Sequence, residues 1–210
     1  MSLTSDRQQY FDFFSKFHSP YLNLTWELKL ADFSPHCQRL GVSRFQWLIY
    51  NLCRSLTSID AFMWRLDADG KPVKVSTLSP SYTVLNPQKN FNFTNFSYDS
   101  CWPLFLERSL KSKGEAEAAT RILVDEQGKL DYIFITTLPW MKFTSIQHPI
   151  FDPRRVHIPS FAFGAFEVTG PEISFPFSVQ AHHGFVDGYH LHLLDLAMKK
   201  NLSDFSSVSP

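Results

Sequence analysis

Near its C-terminal end the chain reads SVQAHHGFVDGYHLHLLDLAMKK, which gathers His182, His183, Asp187 and His190 where an alternating apolar run gives way to a helical pattern. Histidine titrates closest to neutral pH, so an uncharged imidazole at such a junction is suited to take a proton from a hydroxyl or thiol. Spacing alone leaves three readings open. His182 and His183 are hydrogen-bonded packing residues and Asp187 caps the last helix; or His183 and Asp187, with His190 or His192, ligate a metal; or one histidine is a general base that needs no serine or cysteine nucleophile of the protein's own. The chain has no HExxH and no paired-cysteine pattern, so no metal is expected.

Those side chains need a strand before them and a helix after them. Ile173, Phe175, Phe177, Val179 and Ala181 alternate with smaller or polar residues and predict the strand, with Pro176 marking a bulge or an unpaired backbone position. YHLHLLDLAMKK predicts the helix, and SDFSSVSP, from about residue 203, reads as a tail. Upstream of the strand, SFAFGAFEVTG is a second extended stretch, separated from it by a Gly-Pro turn. LDYIFITTLPWMKFTSI is β-branched and aromatic and predicts a strand ending near Pro139.

At the other end, SDRQQYFDFFSKF begins with a capping-box pattern, Ser5 and Gln8, and continues with Tyr10, Phe13, Phe14 and Phe17 at helical spacing. LNLTWELKLA alternates as a strand. DFSPHCQRLG is a short helix with Pro35 in its first turn and Gly41 as its stop. SRFQWLIYNLCRSLTSI is a helix with Phe45, Leu48, Ile49, Leu52 and Leu56 on one face, and FMWRLDADGKPVKVS a hairpin turning at Asp69-Gly70. PSYTVLN leads into NFNFTNFSY, which fits strand or loop, and WPLFLERSLKSKGEAEAATRI is helical with Gly114 as a candidate interruption. Strands and helices in this irregular order define a mixed α/β class, and 210 residues suit one domain over 1–210.

Lys+Arg 20 against Asp+Glu 20 leaves no basic footprint for nucleic acid or an anionic membrane. No apolar run reaches transmembrane length and no signal-peptide core follows Met1. Cys37, Cys53 and Cys101 read as free thiols in a reducing compartment, so a cytoplasmic protein is expected. The 21 phenylalanines point to an aromatic core, an apolar ligand cavity or a subunit interface.

HHGFVDGYH resembles the HHxxxDG signature of the chloramphenicol acetyltransferases, and HxxxDG recurs in other CoA-dependent acyltransferases. The likeness runs along almost the whole chain in order. RQQYFDFF is similar to the family's N-terminal Arg-x-x-x-Phe-x-x-Phe/Tyr segment, PSYTVL to the segment after its first hairpin, ITTLPWMKFTS to its Ser-x-x-Pro-Trp-x-x-Phe strand, and FPFSVQAHHGFVDGYH to the strand and loop bearing its base.

The resemblance implies a chloramphenicol acetyltransferase-like fold, a mixed β-sheet flanked by helices. It implies a homotrimer with active sites between subunits, and direct acetyl transfer from the cosubstrate acetyl-CoA to the 3-hydroxyl of chloramphenicol, giving antibiotic resistance. His183 maps onto the base and Thr136 onto the serine that stabilises the oxyanion. Asp187 and Arg7 map onto a structural ion pair, and Gly188 onto a glycine expected to permit a tight turn. Phe13, Phe14, Leu22, Phe93 and Ile146 map onto the acceptor pocket, Trp140 and Phe166 onto aromatic positions near the CoA tunnel. His182 and His190 match the pattern with hydrogen-bonding or packing roles. Ala162 stands where the family has a threonine, and Leu22, Ile146 and His148 replace larger or more apolar residues. Those departures bear on the acceptor, and keep open another small hydroxyl compound or a catalytically weak scaffold.

Overall fold

The computed structural model describes residues 3–122, 128–150 and 157–206. Helix α1 (Ser5–Phe14) is capped by Thr4, whose hydroxyl accepts from Arg7 N, one residue earlier than the sequence pattern suggests. Phe17 therefore lies in the turns beyond the helix. Strand β1 (Tyr21–Ala31) follows, then α2 (Phe33–Arg39), α3 (Arg44–Thr57), and a small hairpin of β2 (Trp64–Leu66) and β3 (Pro72–Lys74). Next come β4 (Ser79–Leu85), β5 (Phe91–Phe93), α4 (Trp102–Ala118) and β6 (Tyr132–Thr137). The chain closes with β7 (Ser160–Phe163), β8 (Glu167–Thr169), β9 (Glu172–His182) and α5 (Gly188–Ser203). Gly114 does not break α4, because neighbouring turns on both sides supply its hydrogen-bond partners. NFNFTNFSY is part strand, with Phe91–Phe93 paired to β4.

The main sheet runs β1-β9-β7-β6-β4-β5, with β8 also on β9. Pairing of β4 with β6 and of β6 with β7 is parallel, and the other pairs are antiparallel, so the sheet is mixed. Strands β1 and β9 pair without interruption from Tyr21↔His182 to Ala31↔Glu172, so Pro176 makes no bulge. It falls instead between the end of β7 and the start of β8, where Gly164 N donates to its carbonyl. The missing N–H therefore costs no ladder bond. Gly164 is needed there, since a Cβ would lie 2.8 Å from Pro176 Cγ.

One face of the sheet is apolar. Leu28, Phe175, Phe177, Val179, Phe161 and Ile135 are buried on it against the helices. Helix α3 is buried nearly all round rather than on one stripe, and Trp47, Tyr50, Trp102 and Phe105 form an edge-to-face cluster at its side. Much of the phenylalanine excess is spent in this core. Arg65 is completely buried and donates to four backbone carbonyls, those of Phe62, Trp64, Leu130 and Tyr132. The expected tail is shorter than the sequence suggests. Ser203 closes α5, Asp204 pairs with Arg54 at 3.0 Å, and Phe205 stacks on Trp47 at 5.0 Å. Residues 207–210 of that tail lie outside the described residues.

The opposite face is polar. Thr25, Ser178, Ala162 and Thr136 form one row across β1, β9, β7 and β6, and Asn23, Gln180, Ser160 and Phe134 form the next. Side chains paired directly across strands share a face. Ser178, Gln180 and Ser160 are nevertheless buried, because the 143–150 segment crosses over them.

Candidate active site

The pairing of β1 with β9 delivers the histidine motif. One step beyond Tyr21↔His182, His183 N donates to Pro20 O at 2.8 Å, and the chain turns into α5. His183 Nδ1 is 3.0 Å from Val186 O. A carbonyl can only accept, so Nδ1 carries a hydrogen, and in the neutral ring the lone pair is then on Nε2. The ring stacks on Phe14 at 4.0 Å and 23°. Phe14 also lines a cleft of about 460 Å³ with Asp6, Gln9, Tyr10 and Phe13.

His182 has the opposite arrangement. It is buried, its Nδ1 accepts from Gly184 N at 3.1 Å, and its ring packs against both Phe11 and Phe185, which stack on each other. Burial, with further contributions from His157 and His183, lowers its pKa to about 4, so it stays neutral at pH 7. Adjacent histidines thus hold different tautomers, and His182 is a packing residue.

Asp187 caps α5 and ties it to α1. Oδ1 accepts from Tyr189 N and His190 N, and Oδ2 takes a 2.8 Å bond from Arg7 Nη1. Burial raises its pKa, but the Arg7 bond and the His190 contacts outweigh that and bring it down to about 2. His190 closes the capping box with Asp187. The packing and capping role offered by spacing and the ion pair implied by family resemblance therefore coexist in one carboxylate.

The glycine needed for space is a different one from the one the sequence singled out. Gly188 has no positive φ and open space where a Cβ would sit. At Gly184 a Cβ would meet Phe11 Cα and His182 Cε1, both at 2.9 Å. The motif's tight spot is the contact of this loop with α1, which sequence spacing does not reveal.

The remaining site residues fall into separate places. Leu22, paired with Ala181, packs against the core beside the His183 end of β9. Thr136 shares a row with Ser178, five residues before His183 and two strands over, so the two lie roughly 20 Å apart at usual strand dimensions. Trp140 is 70% exposed, and its neighbour Met141 accepts from Ala165 N, which brings it near Phe166. Phe166 packs edge-on against Phe175 and carries the Arg44 guanidinium over its ring at 5.7 Å. Arg44 was not singled out from sequence; only this stacking draws attention to it. Ile146 lies over β1, its carbonyl accepting from Asn23. Phe93 is on β5, at the far edge of the sheet from β1. One chain therefore carries a histidine half (His183, Phe13, Phe14, Leu22, Arg7, Asp187) and a distant half (Thr136, Trp140, Phe166).

Solved acetyltransferases share this mixed sheet that ends in a loop and a capped helix. A solved Azotobacter vinelandii dihydrolipoamide acetyltransferase matches it with a TM-score of 0.66 at 14% identity, over 96% of this chain and 88% of that one. A solved chloramphenicol acetyltransferase matches with a TM-score of 0.84 at 23% identity, over 95% of this chain and 96% of that one. The family described as "CAT: Chloramphenicol acetyltransferase" matches residues 3–197, and the chain belongs to that family of acyltransferases. A Clostridium perfringens chloramphenicol acetyltransferase is 24% identical over 188 residues, covering 89% of this chain and 85% of the relative.

Proposed function

We propose that the protein is an acetyl-CoA-dependent O-acetyltransferase acting on the 3-hydroxyl of chloramphenicol, with His183 as general base. The observation that carries this reading is the His183 Nδ1 bond to Val186 O, which leaves Nε2 free to accept a proton. Nε2 takes the hydroxyl proton while the acceptor oxygen attacks the thioester carbonyl of acetyl-CoA. The intermediate collapses with cleavage of the carbon–sulfur bond, and the CoA thiolate leaves with the proton returned by His183. Holding both substrates together removes much of the entropic barrier, worth up to about 7–11 kcal/mol. Thr136 supplies a hydroxyl for the oxyanion, a donor of a kind worth about 10²–10³-fold in rate.

The separation of Thr136 from His183 within one chain supports a site assembled between copies in a homotrimer, where one chain's base faces a neighbour's Thr136. Exposed Tyr10, Phe13 and Phe17 on the histidine side, and exposed Phe91 on β5, are surfaces such an assembly would cover. Trp140 and Phe166 then flank the CoA, and Arg44 on Phe166 offers a cation to its phosphates. Asp187, Arg7 and the loop they hold act as structural support, and the free thiols at Cys37, Cys53 and Cys101 suit a reducing cytoplasm.

The test is acetylation of chloramphenicol by the purified protein at micromolar concentration, with product identified by mass and by acetyl position. Formation of the 3-O-acetyl product is expected; no product with intact, folded protein excludes this acceptor. A different small hydroxylated acceptor for the same chemistry is favoured by Ala162 and by His148, whose ring nitrogens are buried with no partner among the described residues. A compound turned over markedly faster than chloramphenicol in an acceptor screen establishes that reading.

A further inference from the structure

The segment that carries Ile146 and His148 is pinned to the polar face of the sheet by two amides. Asn23 on β1 and Gln180 on β9 are direct cross-strand partners, so their side chains project side by side from the same face. Asn23 Nδ2 donates to Ile146 O at 2.7 Å, and His148 N donates to Gln180 Oε1 at 3.4 Å. The two anchored residues are two apart in sequence, and their anchors stand on neighbouring strands about 4.8 Å apart.

The orientation of the Asn23 amide is set by its neighbours. Ile146 O accepts only, so the Asn23 NH₂ faces it and Oδ1 faces the sheet. Ser178 Oγ donates to that Oδ1 at 3.2 Å, and having spent its hydrogen it accepts from Thr25 Oγ1 at 2.9 Å. The result is a one-way chain, Thr25 to Ser178 to Asn23 to Ile146 O, every member of which has its hydrogen assigned. A flip of an amide so held would break both of its bonds, a cost set by how far these half-buried groups are removed from water.

We infer that Asn23, oriented by Thr25 and Ser178 and assisted by Gln180, is a positioning residue for acceptor recognition: it fixes the height of Ile146, and with it His148, over the polar face of the sheet. This rests on the reading above that Ile146 lines the acceptor pocket. Neither Asn23 nor Thr25 touches the reacting atoms in this scheme, and the CoA side, at Trp140 and Phe166, is served by other contacts. The specificity of the pocket is therefore governed in part by residues beneath it.

The experiment compares wild type with Asn23→Asp, which keeps the acceptor for Ser178 but removes the donor to Ile146, and with Thr25→Val and Thr25→Ser. Hydrogen exchange over residues 145–149 is measured alongside KM for chloramphenicol, KM for acetyl-CoA and kcat. Asn23→Asp is expected to speed exchange in that segment and to raise KM for chloramphenicol about tenfold, as loss of one half-buried hydrogen bond allows, with KM for acetyl-CoA and kcat unchanged. Thr25→Val should show a smaller shift in the same direction, and Thr25→Ser, which keeps the hydroxyl, wild-type values. Unchanged exchange, an unchanged chloramphenicol KM, or equal changes in both KM values overturn the inference while wild-type turnover leaves the function standing. Absence of wild-type turnover removes the function reading, and this inference with it. Should Asn23→Asp fail to fold, Thr25→Val against Thr25→Ser decides it alone.

Discussion

Phe14 lies face to face with His183, ring centroids 4.0 Å apart, and also lines a surface cleft with Asp6, Gln9, Tyr10 and Phe13 of its own helix. The last turn of the first helix thus holds one side of the ring at the end of the last strand. With Val186 O fixing Nδ1 and Pro20 O fixing the backbone, the residue is held both by its own loop and by the N-terminal segment that carries Phe14 and Pro20.

Removing the Phe14 ring should loosen that geometry without touching the base itself. Such aromatic contacts are worth about 0.5–1.5 kcal/mol beyond simple burial, so Phe14→Ala is expected to lower kcat/KM for the acceptor by about tenfold. Phe14→Tyr, which keeps the ring, should retain most activity. Steady-state kinetics on both variants check this, and equal loss in the two would show that the stacking is irrelevant.

The contact between the motif loop and the first helix makes a second prediction. At Gly184 a methyl group would collide with Phe11 Cα, a backbone atom, so the helix must shift. Gly184→Ala is expected to destabilise the fold by about 1–3 kcal/mol and to reduce activity by displacing Phe14. Gly188→Ala, with open space around it, should be close to neutral. Chemical denaturation of the two alanine variants distinguishes them, and comparable losses would contradict this account of the loop.

Acid should weaken the protein in two steps. His182 is held neutral with a folded pKa of about 4, against an ordinary 6.5, so the unfolded chain binds its proton first. Stability is then complete above about 6.5 and declines as pH falls toward 4. Asp187 has a folded pKa of about 2 against an ordinary 3.8, so its contribution is present above about 4 and disappears as pH falls toward 2. His182→Gln should flatten the first limb by about one proton and Asp187→Asn the second. The Asp187 side chain is 33% exposed, so breaking its pair with Arg7 should cost about 1–3 kcal/mol at pH 7, below the figure for a fully buried pair. Urea denaturation across pH 2–7 measures both limbs; slopes unaltered by the substitutions would refute the assignments.

Period and turn chemistry made most elements legible in the sequence. Alternation in LNLTWELKLA and EISFPFSVQAH marked β1 and β9, and Asp69-Gly70 marked the hairpin, where Gly70 takes a positive φ. What sequence could not show was tertiary in origin. Pro176 marked either a bulge or an unpaired backbone position, and only the gap between β7 and β8 decides for the second, because pairing between neighbours is not written in local residues. Gly188 drew attention as part of a motif, whereas the crowding that demands a glycine is at Gly184, visible only once α1 is packed on the loop. Asn23, Thr25 and Ser178, which share one hydrogen-bond chain, are ordinary polar positions of alternating strands, and only the register brings them together.

Whether the proposed base, Nε2 of His183, takes the acceptor's proton is read from thiol release from acetyl-CoA with and without chloramphenicol, for wild type and His183→Ala. The account predicts chloramphenicol-dependent release by wild type and at least a 10²-fold loss in the variant, about the contribution of a positioned base, with its fold intact by circular dichroism. Equal rates for the folded variant and wild type would contradict it.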